Sequence, residues 1–204
     1  MKIAKTSLLR RTQFGNPILR TKARQLAKSE ILSPVIKKLI TDMRYTLAYK
    51  KYGVGLAAPQ IGQGVALCII EIKPTKLRPK LPKSKWASLI VVNPKIVKVY
   101  GRRQQVYEGC ISFAEVFAKV PRHKKIRVKY LNEKAATHQK DFKGLVAQVL
   151  QHEIDHLNGI LFVDKVKDTS SYMTAAEYKK RIVKNKKQST KNKKQNTISA
   201  DNDK

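Results

Sequence analysis

His152, Glu153 and His156 are the residues whose types and spacing most directly imply chemistry. They lie in the stretch Gln151-His152-Glu153-Ile154-Asp155-His156-Leu157. On a helix, side chains four apart lie one above the other, so His152 and His156 can offer imidazole nitrogens to one ion. Glu153 leaves the backbone between them and can reach a water held by that ion. This is the H-E-x-x-H arrangement of metal-dependent hydrolases. The chain has only four histidines, so a pair at ligand spacing around a glutamate is a poor fit to chance. A catalytic metal ordinarily takes three protein ligands and keeps one position open. The rest of the chain must supply the third.

Cys110, in Val106-Tyr107-Glu108-Gly109-Cys110-Ile111-Ser112, admits three readings. It is a core thiol, the commonest fate of a free cysteine, or the missing ligand, since a thiolate binds divalent metals well, or a nucleophile paired with a histidine. The nucleophile is the weakest reading, because a glutamate between two histidines is better explained by metal-water chemistry. Cys68 sits inside a Val/Ile-rich run and reads as a core residue. His123 and His138 fall on basic segments and read as surface residues. A zinc endopeptidase would look downstream of the helix for its ligand, to Asp164, Asp168 or Glu177. The loop Gly53-Val54-Gly55-Leu56-Ala57-Ala58-Pro59-Gln60-Ile61-Gly62-Gln63-Gly64 is rich in glycine, which lets backbone approach a ligand closely. It lacks the Gly-Lys-Ser/Thr ending of a phosphate loop. Gln60 adds a polar group beside that backbone.

The elements that must position these groups follow from periodicity. Residues 1–31 read as an irregular lead-in. A helix starts at Ser33-Pro34, a cap followed by proline at the first turn. It buries Ile36, Leu39, Ile40, Met43 and Leu47 on one face and ends at Gly53. Val65 to Ile72 reads as a buried strand. Residues 73–88 are rich in Pro and Lys and read as an exposed loop whose far end Trp86 anchors. Leu89 to Tyr100 reads as extended structure broken at Asn93-Pro94. The strict alternation Ile126-Arg127-Val128-Lys129-Tyr130 is a half-buried strand with a basic outer face, followed by a turn and a strand near His138 to Phe142. The motif helix follows Gly144, with Leu145, Val146, Val149 and Leu150 as its apolar part, and Gly159 stops it. Ile160 to Val163 returns to the core. A basic helix from about Thr174 to Val183 and a Lys-rich end expected to be disordered complete the chain.

Composition bounds the rest. With 204 residues, 42% of them hydrophobic, the chain fits one globular domain. Two cysteines cannot make a disulfide framework and favour a reducing compartment. No apolar run is long enough to span a membrane, and the basic start lacks the apolar core of a signal peptide. A net charge of +30 predicts attraction to polyanions such as RNA. A basic RNA-binding module is therefore the reading from a different class.

Three segments then fall into one pattern. Gly53-Val54-Gly55-Leu56-Ala57-Ala58-Pro59-Gln60, Glu108-Gly109-Cys110-Ile111-Ser112 and the motif helix resemble, in order and separation, the three signatures of the peptide deformylases. So does Gly15-Asn16-Pro17-Ile18-Leu19-Arg20. The resemblance implies an α+β fold of antiparallel sheets around a central metal-binding helix, with a catalytic domain over residues 1–173 and a basic helix and tail over 174–204. It implies Cys110, His152 and His156 as ligands of ferrous iron (Fe2+), which Zn2+, Ni2+ or Co2+ can replace. Glu153 would be the general acid/base, with Gln60 and the Ile111 N–H polarising a formyl oxygen. Gly53, Val54, Gly55, Val106, Glu108, Gly109, Leu145 and Val149 would contact substrate, and Arg122 would pair with Glu108 to brace the Cys110 segment. The implied activity is removal of the formyl group from formylmethionyl nascent chains, in the cytoplasm or an organelle. The expected partners are nascent peptides and, through the basic surface and tail, the ribosome; membrane and DNA are not expected. Departures from the family pattern are Ile111 for the usual Leu, no proline in Phe113-Ala114-Glu115-Val116-Phe117, Gln148 at the pocket rim, and a longer, more basic 73–88 loop.

Overall fold

Alternation in the strands decides which residues meet, so the sheet is the natural starting point. The computed structural model describes residues 6–50, 53–74 and 81–184. Two helices come first, α1 (Lys28–Leu32) and α2 (Pro34–Lys50), then strands β1 (Gly55–Ala57), β2 (Leu67–Ile72), β3 (Ala87–Cys110), β4 (Phe113–Leu131) and β5 (Thr137–Lys143). The motif helix is α3 (Gly144–Leu157), and β6 (Met173–Thr174) leads into α4 (Ala175–Tyr178). All strand pairs are antiparallel, in the order β1-β2-β3-β4-β5, with β6 on β4. The α+β expectation holds.

β2 is buried on both faces, which is why its sequence is an almost continuous apolar run, with Glu71 the exception, rather than an alternation. Cys68, Ile70 and Ile72 pack with Val91, Ile126, Val128 and the α3 residues Ala147, Leu150 and Ile154. Leu67 and Ile69 pack on the opposite face with Ile90, Val92 and the α2 residues Ile36, Ile40, Met43 and Leu47. The sheet is thus held between α3 and α2, and Cys68 is a core thiol with no exposed surface. Ile126, Val128 and Tyr130 are buried while Arg127 and Lys129 face outward, as the alternation requires.

Two expectations change. The extended run through Asn93-Pro94 does not break: β3 continues across it with a register shift between Val92 and Lys95. A bulge absorbs the proline, which cannot donate to a ladder. Asn93 sits there at φ 50°, its side chain accepting from Leu26 N at 2.9 Å and donating to Leu26 O at 2.8 Å. The lead-in is not featureless either. It contains a 3-10 turn at Pro17–Arg20 as well as α1, and it straps the site: Thr12 N–H donates to Gln60 O, Phe14 N–H to Ser112 O and Ala23 N–H to Leu157 O, at 2.8, 2.8 and 2.9 Å. Trp86 donates its indole N–H to Leu81 O at 3.1 Å. The middle of the basic loop, residues 75–80, and the Lys-rich end, residues 185–204, lie outside the described residues. Thr174 caps α4 by accepting from Glu177 N, and wider turns continue it through Lys179–Lys184.

Candidate metal centre and substrate cleft

α3 carries His152 and His156 on one face, and the end of β3 brings Cys110 across to them. The Cys110 sulfur and one nitrogen of each imidazole lie within 4.8 Å of one another, with Sγ 3.2 Å from His156 Nε2. Burial alone would push the Cys110 thiol up, but the two imidazoles pull it well below its ordinary value, which favours the thiolate. Of the three readings of Cys110, the ligand and the histidine-paired nucleophile fit this geometry, and the buried core thiol does not, since Cys110 lines the cleft. A thiolate and two imidazole nitrogens form a donor set for a divalent transition metal. His123 and His138 lie away from the cluster, against Arg103 and Asn132.

The imidazole of His152 is oriented from behind. Its Nδ1 is 2.9 Å from Glu108 Oε2, leaving Nε2 for a metal. Glu108 is itself gripped by Arg122, whose Nε and Nη2 donate to Oε1 and Oε2 at 2.9 and 2.8 Å. Burial works against the charge of Glu108, yet His152 and Arg122 hold its carboxyl at about 2. The remaining guanidinium nitrogen of Arg122 donates to Asp155, and Lys165 pairs with the other Asp155 oxygen at 3.0 Å. The sequence reading placed Arg122 with Glu108 but gave Asp155 no role. Its helical position, one turn from His152 and beside His156, was the available signal.

Glu153 is 3% exposed. Burial raises its carboxyl to about 7, against the pull of the two imidazoles. Its Oε2, like His156 Nδ1, is buried without a hydrogen-bond partner among the described residues. Such an oxygen is costly to bury, and beside the Cys110, His152 and His156 cluster it marks Glu153 as a candidate acid or base. Gly55 is what lets it sit there. A Cβ on Gly55 would fall 2.3 Å from Glu153 Oε1 and 2.8 Å from Val149 Cγ1, so any side chain would displace the Glu153 carboxyl. Gln60, 1% exposed, accepts from Ala57 N–H at 2.9 Å through Oε1. This turns its NH2 toward Cys110 Sγ at 3.2 Å and Ser112 Oγ at 3.4 Å.

These groups open onto a cleft of about 770 Å³, within the range of small-ligand sites. Gly53, Val54, Gly55, Gln60, Glu108, Gly109, Cys110, Ile111, Leu145, Val149, His152 and Glu153 all line it, as the sequence led us to expect. Val106 does not. It packs instead against Ala118, Val120 and Phe162, paired across the sheet with Val120. The next strand residue, Tyr107, lines the cleft in its place. Arg11, Phe117 and Tyr178 also line it, and no sequence signal marked them.

The Polypeptide deformylase family model matches residues 9–172. Peptide deformylase 2 of Nostoc sp. is 37% identical over 173 residues, covering 85% of this chain and 94% of its own. The peptide deformylase of Chlorobaculum parvum is 39% identical over 154 residues, covering 76% and 77%. Among solved structures, the Met-Ala-Ser-bound class I type b peptide deformylase of Acinetobacter baumannii superposes with a TM-score of 0.74 at 31% identity, over 79% of this chain and all of that one. The actinonin complex of the Synechococcus elongatus enzyme gives 0.69 at 34%, over 84% and 85%. The family model and these relatives cover most of the chain, and the chain belongs to the polypeptide deformylase family.

Proposed function

We infer that the protein removes the formyl group from the formylmethionine at the start of nascent chains, using one divalent metal held by Cys110, His152 and His156. The observation that carries this is the thiolate of β3 lying within ligand distance of both α3 histidines, with Glu153 buried beside them. Bound there, such a metal acidifies water toward a pKa near 7 and polarises a carbonyl. Glu153 takes the proton of the attacking water and returns it to the departing amine nitrogen. The NH2 of Gln60, fixed by the Ala57 N–H, and the backbone N–H of Ile111 donate to the oxygen that becomes negative, each contribution of this kind being worth roughly 10²–10³ in rate. One C–O bond forms, the formyl C–N bond breaks, and the products are formate and a free N-terminus. Glu108 holds His152 for the metal, and Arg122 holds Glu108. Val54, Leu145 and Val149 supply apolar surface for the methionine side chain.

Ferrous iron is the metal we propose, with Zn2+, Ni2+ or Co2+ as replacements; the family resemblance favours it, and thiolate and imidazole suit each of them. We place residues 1–173 as the core of the catalytic unit, with α4 just beyond it adding to the cleft wall, and the cytoplasm as its site of action. No described helix is long and apolar enough to cross a membrane. The ribosome is the proposed partner. On the face of β3–β4–β5 away from α3, Lys95 is directly opposite Lys129 and Lys98 opposite Arg127; Asp141 pairs with Lys125 and Arg127, leaving Lys95, Lys98 and Lys129 as the excess charge. Like charges in direct opposition weaken a sheet, and this face gains instead by meeting a polyanion such as ribosomal RNA. The basic tail assigned the same role lies outside the described residues.

The deciding experiment is formate release from formyl-Met-Ala-Ser by protein purified without oxygen and loaded with iron. We expect catalysis by the native chain, and loss of both bound metal and formate release in Cys110→Ala. A Cys110→Ala protein that keeps both would favour an endopeptidase with a downstream ligand.

A further inference from the structure

The lead-in that straps the site also sends one cation into it. The chain from Ser7 to Phe14 is fixed at both ends. Ser7 N–H donates to Asp42 Oδ1 and Leu9 N–H to Thr46 Oγ1, both at 2.9 Å, which seats the strap on α2. At the other end Phe14 N–H donates to Ser112 O, and the Phe14 ring meets Phe113 edge-on, centroids 4.7 Å apart. Between these anchors Arg11 lines the cleft that holds Cys110, His152 and Glu153. Its Nη1 donates to Ile111 O at 3.3 Å, and Gln13 Nε2 donates to the same oxygen at 3.4 Å. Arg11 pairs with no carboxylate among the described residues, so its charge is not neutralised. The peptide unit it grips has the carbonyl of Ile111 at one end and the N–H of Ser112 at the other. That N–H donates to Cys110 Sγ at 3.4 Å, beside the Gln60 NH2 at 3.2 Å.

We propose that Arg11, seconded by Gln13, is a positioning residue of the metal centre: it fixes and polarises the Ile111–Ser112 peptide so that Ser112 N–H draws charge from the Cys110 sulfur. This rests on the reading of Cys110 as a metal ligand. A charged donor on the carbonyl oxygen makes a stronger bond than a neutral one, and successive bonds in such a chain polarise one another. The Arg11 charge therefore reaches the sulfur through a single amide. A thiolate that gives part of its charge to an N–H donor gives less to a bound divalent ion, and the ion remains the stronger Lewis acid. The same grip steadies the turn that carries the Ile111 N–H, the second of the proposed oxyanion donors. Arg11 and Ile111 are 100 residues apart in sequence, so only the seating of the strap brings them together.

The test uses the full chain loaded with Co2+ and has two readouts. The thiolate-to-cobalt charge-transfer band measures how readily Cys110 gives up charge, and formate release from formyl-Met-Ala-Ser gives kcat and KM. In Arg11→Met we expect the band at longer wavelength, because a thiolate with weaker hydrogen bonding parts with an electron more easily. We expect kcat to fall about tenfold with KM within about twofold, the low end of what outer partners of a metal ligand contribute. Arg11→Lys keeps a cation and a donor and should restore both readouts. Gln13→Ala should move both in the same direction by less. An unmoved band in Arg11→Met overturns the proposal. So does a change confined to KM, which makes Arg11 a substrate contact, and so does an Arg11→Lys protein as impaired as Arg11→Met. If the native chain shows the band but releases no formate, the deformylase reading fails by itself and the band shift alone decides the proposal. A native chain with no such band removes Cys110 as a ligand and overturns the proposal with it.

Discussion

Glu153 shows how burial sets the working state of one residue. Its carboxyl is raised to about 7 from an ordinary value near 4.5. Below that ordinary value it is protonated in the folded and unfolded chain alike. Between the two values the folded chain keeps a proton that the unfolded chain has lost, so the metal-free protein loses stability as pH rises across that window. The full loss is about 3 kcal/mol. Glu153→Gln removes the ionisation, so the difference in unfolding free energy between the variant and the native metal-free protein should grow by that amount from pH 4.5 to 7.5. Denaturant titrations at the two pH values measure it; a difference that stays flat would show that Glu153 does not titrate in that window. Formate release by the variant should fall by roughly 10²–10⁴, the usual contribution of a positioned acid/base. The identity of this residue was legible from its place between two histidines. Its raised pKa was not, because burial belongs to the surrounding elements.

At the scale of elements, Arg122 ties β4 to β3 through Glu108 and to α3 through Asp155. Breaking a buried ion pair from one side leaves uncompensated charge and costs about 3–5 kcal/mol. Arg122→Met should destabilise the protein by about that much. It should also weaken metal binding by roughly 10–100-fold, because Glu108 then no longer fixes His152. Thermal unfolding and metal competition titrations check the two effects separately. A variant with native metal affinity would reduce Arg122 to a purely structural tie. The element types were largely visible beforehand. α3 followed from its 3.6-residue pattern, β4 from strict alternation, and β2 from a mostly apolar run. The passage of β3 through Asn93-Pro94 was not, because the bulge depends on a side-chain bond to Leu26, 67 residues away in sequence.

At the scale of the whole molecule, the +30 charge becomes a surface with a location. If the β3–β4–β5 face meets RNA, Lys95→Glu, Lys98→Glu and Lys129→Glu together should weaken binding of ribosomal RNA and lower the slope of log affinity against log salt by about two to three. Turnover of short formyl peptides should not change. Filter binding across a salt series reads the slope, and an unchanged slope would move the contact elsewhere. The sequence by itself singled out the candidate ligands, the candidate base and the glycine loop, because each is a local pattern whose chemistry needs only spacing. It also determined that charge would dominate the surface. Only the tertiary structure decided that Cys110 reaches His156, that Gly55 makes room for Glu153, that Tyr107 rather than Val106 lines the cleft, and that α4 forms part of its wall. Each of these is a contact between elements distant in sequence. A single strand pattern cannot show which of its neighbours the sheet will bring within reach. His152 and His156 were recognisable at once as half of a site; the antiparallel return of β3 beneath α3 made it whole.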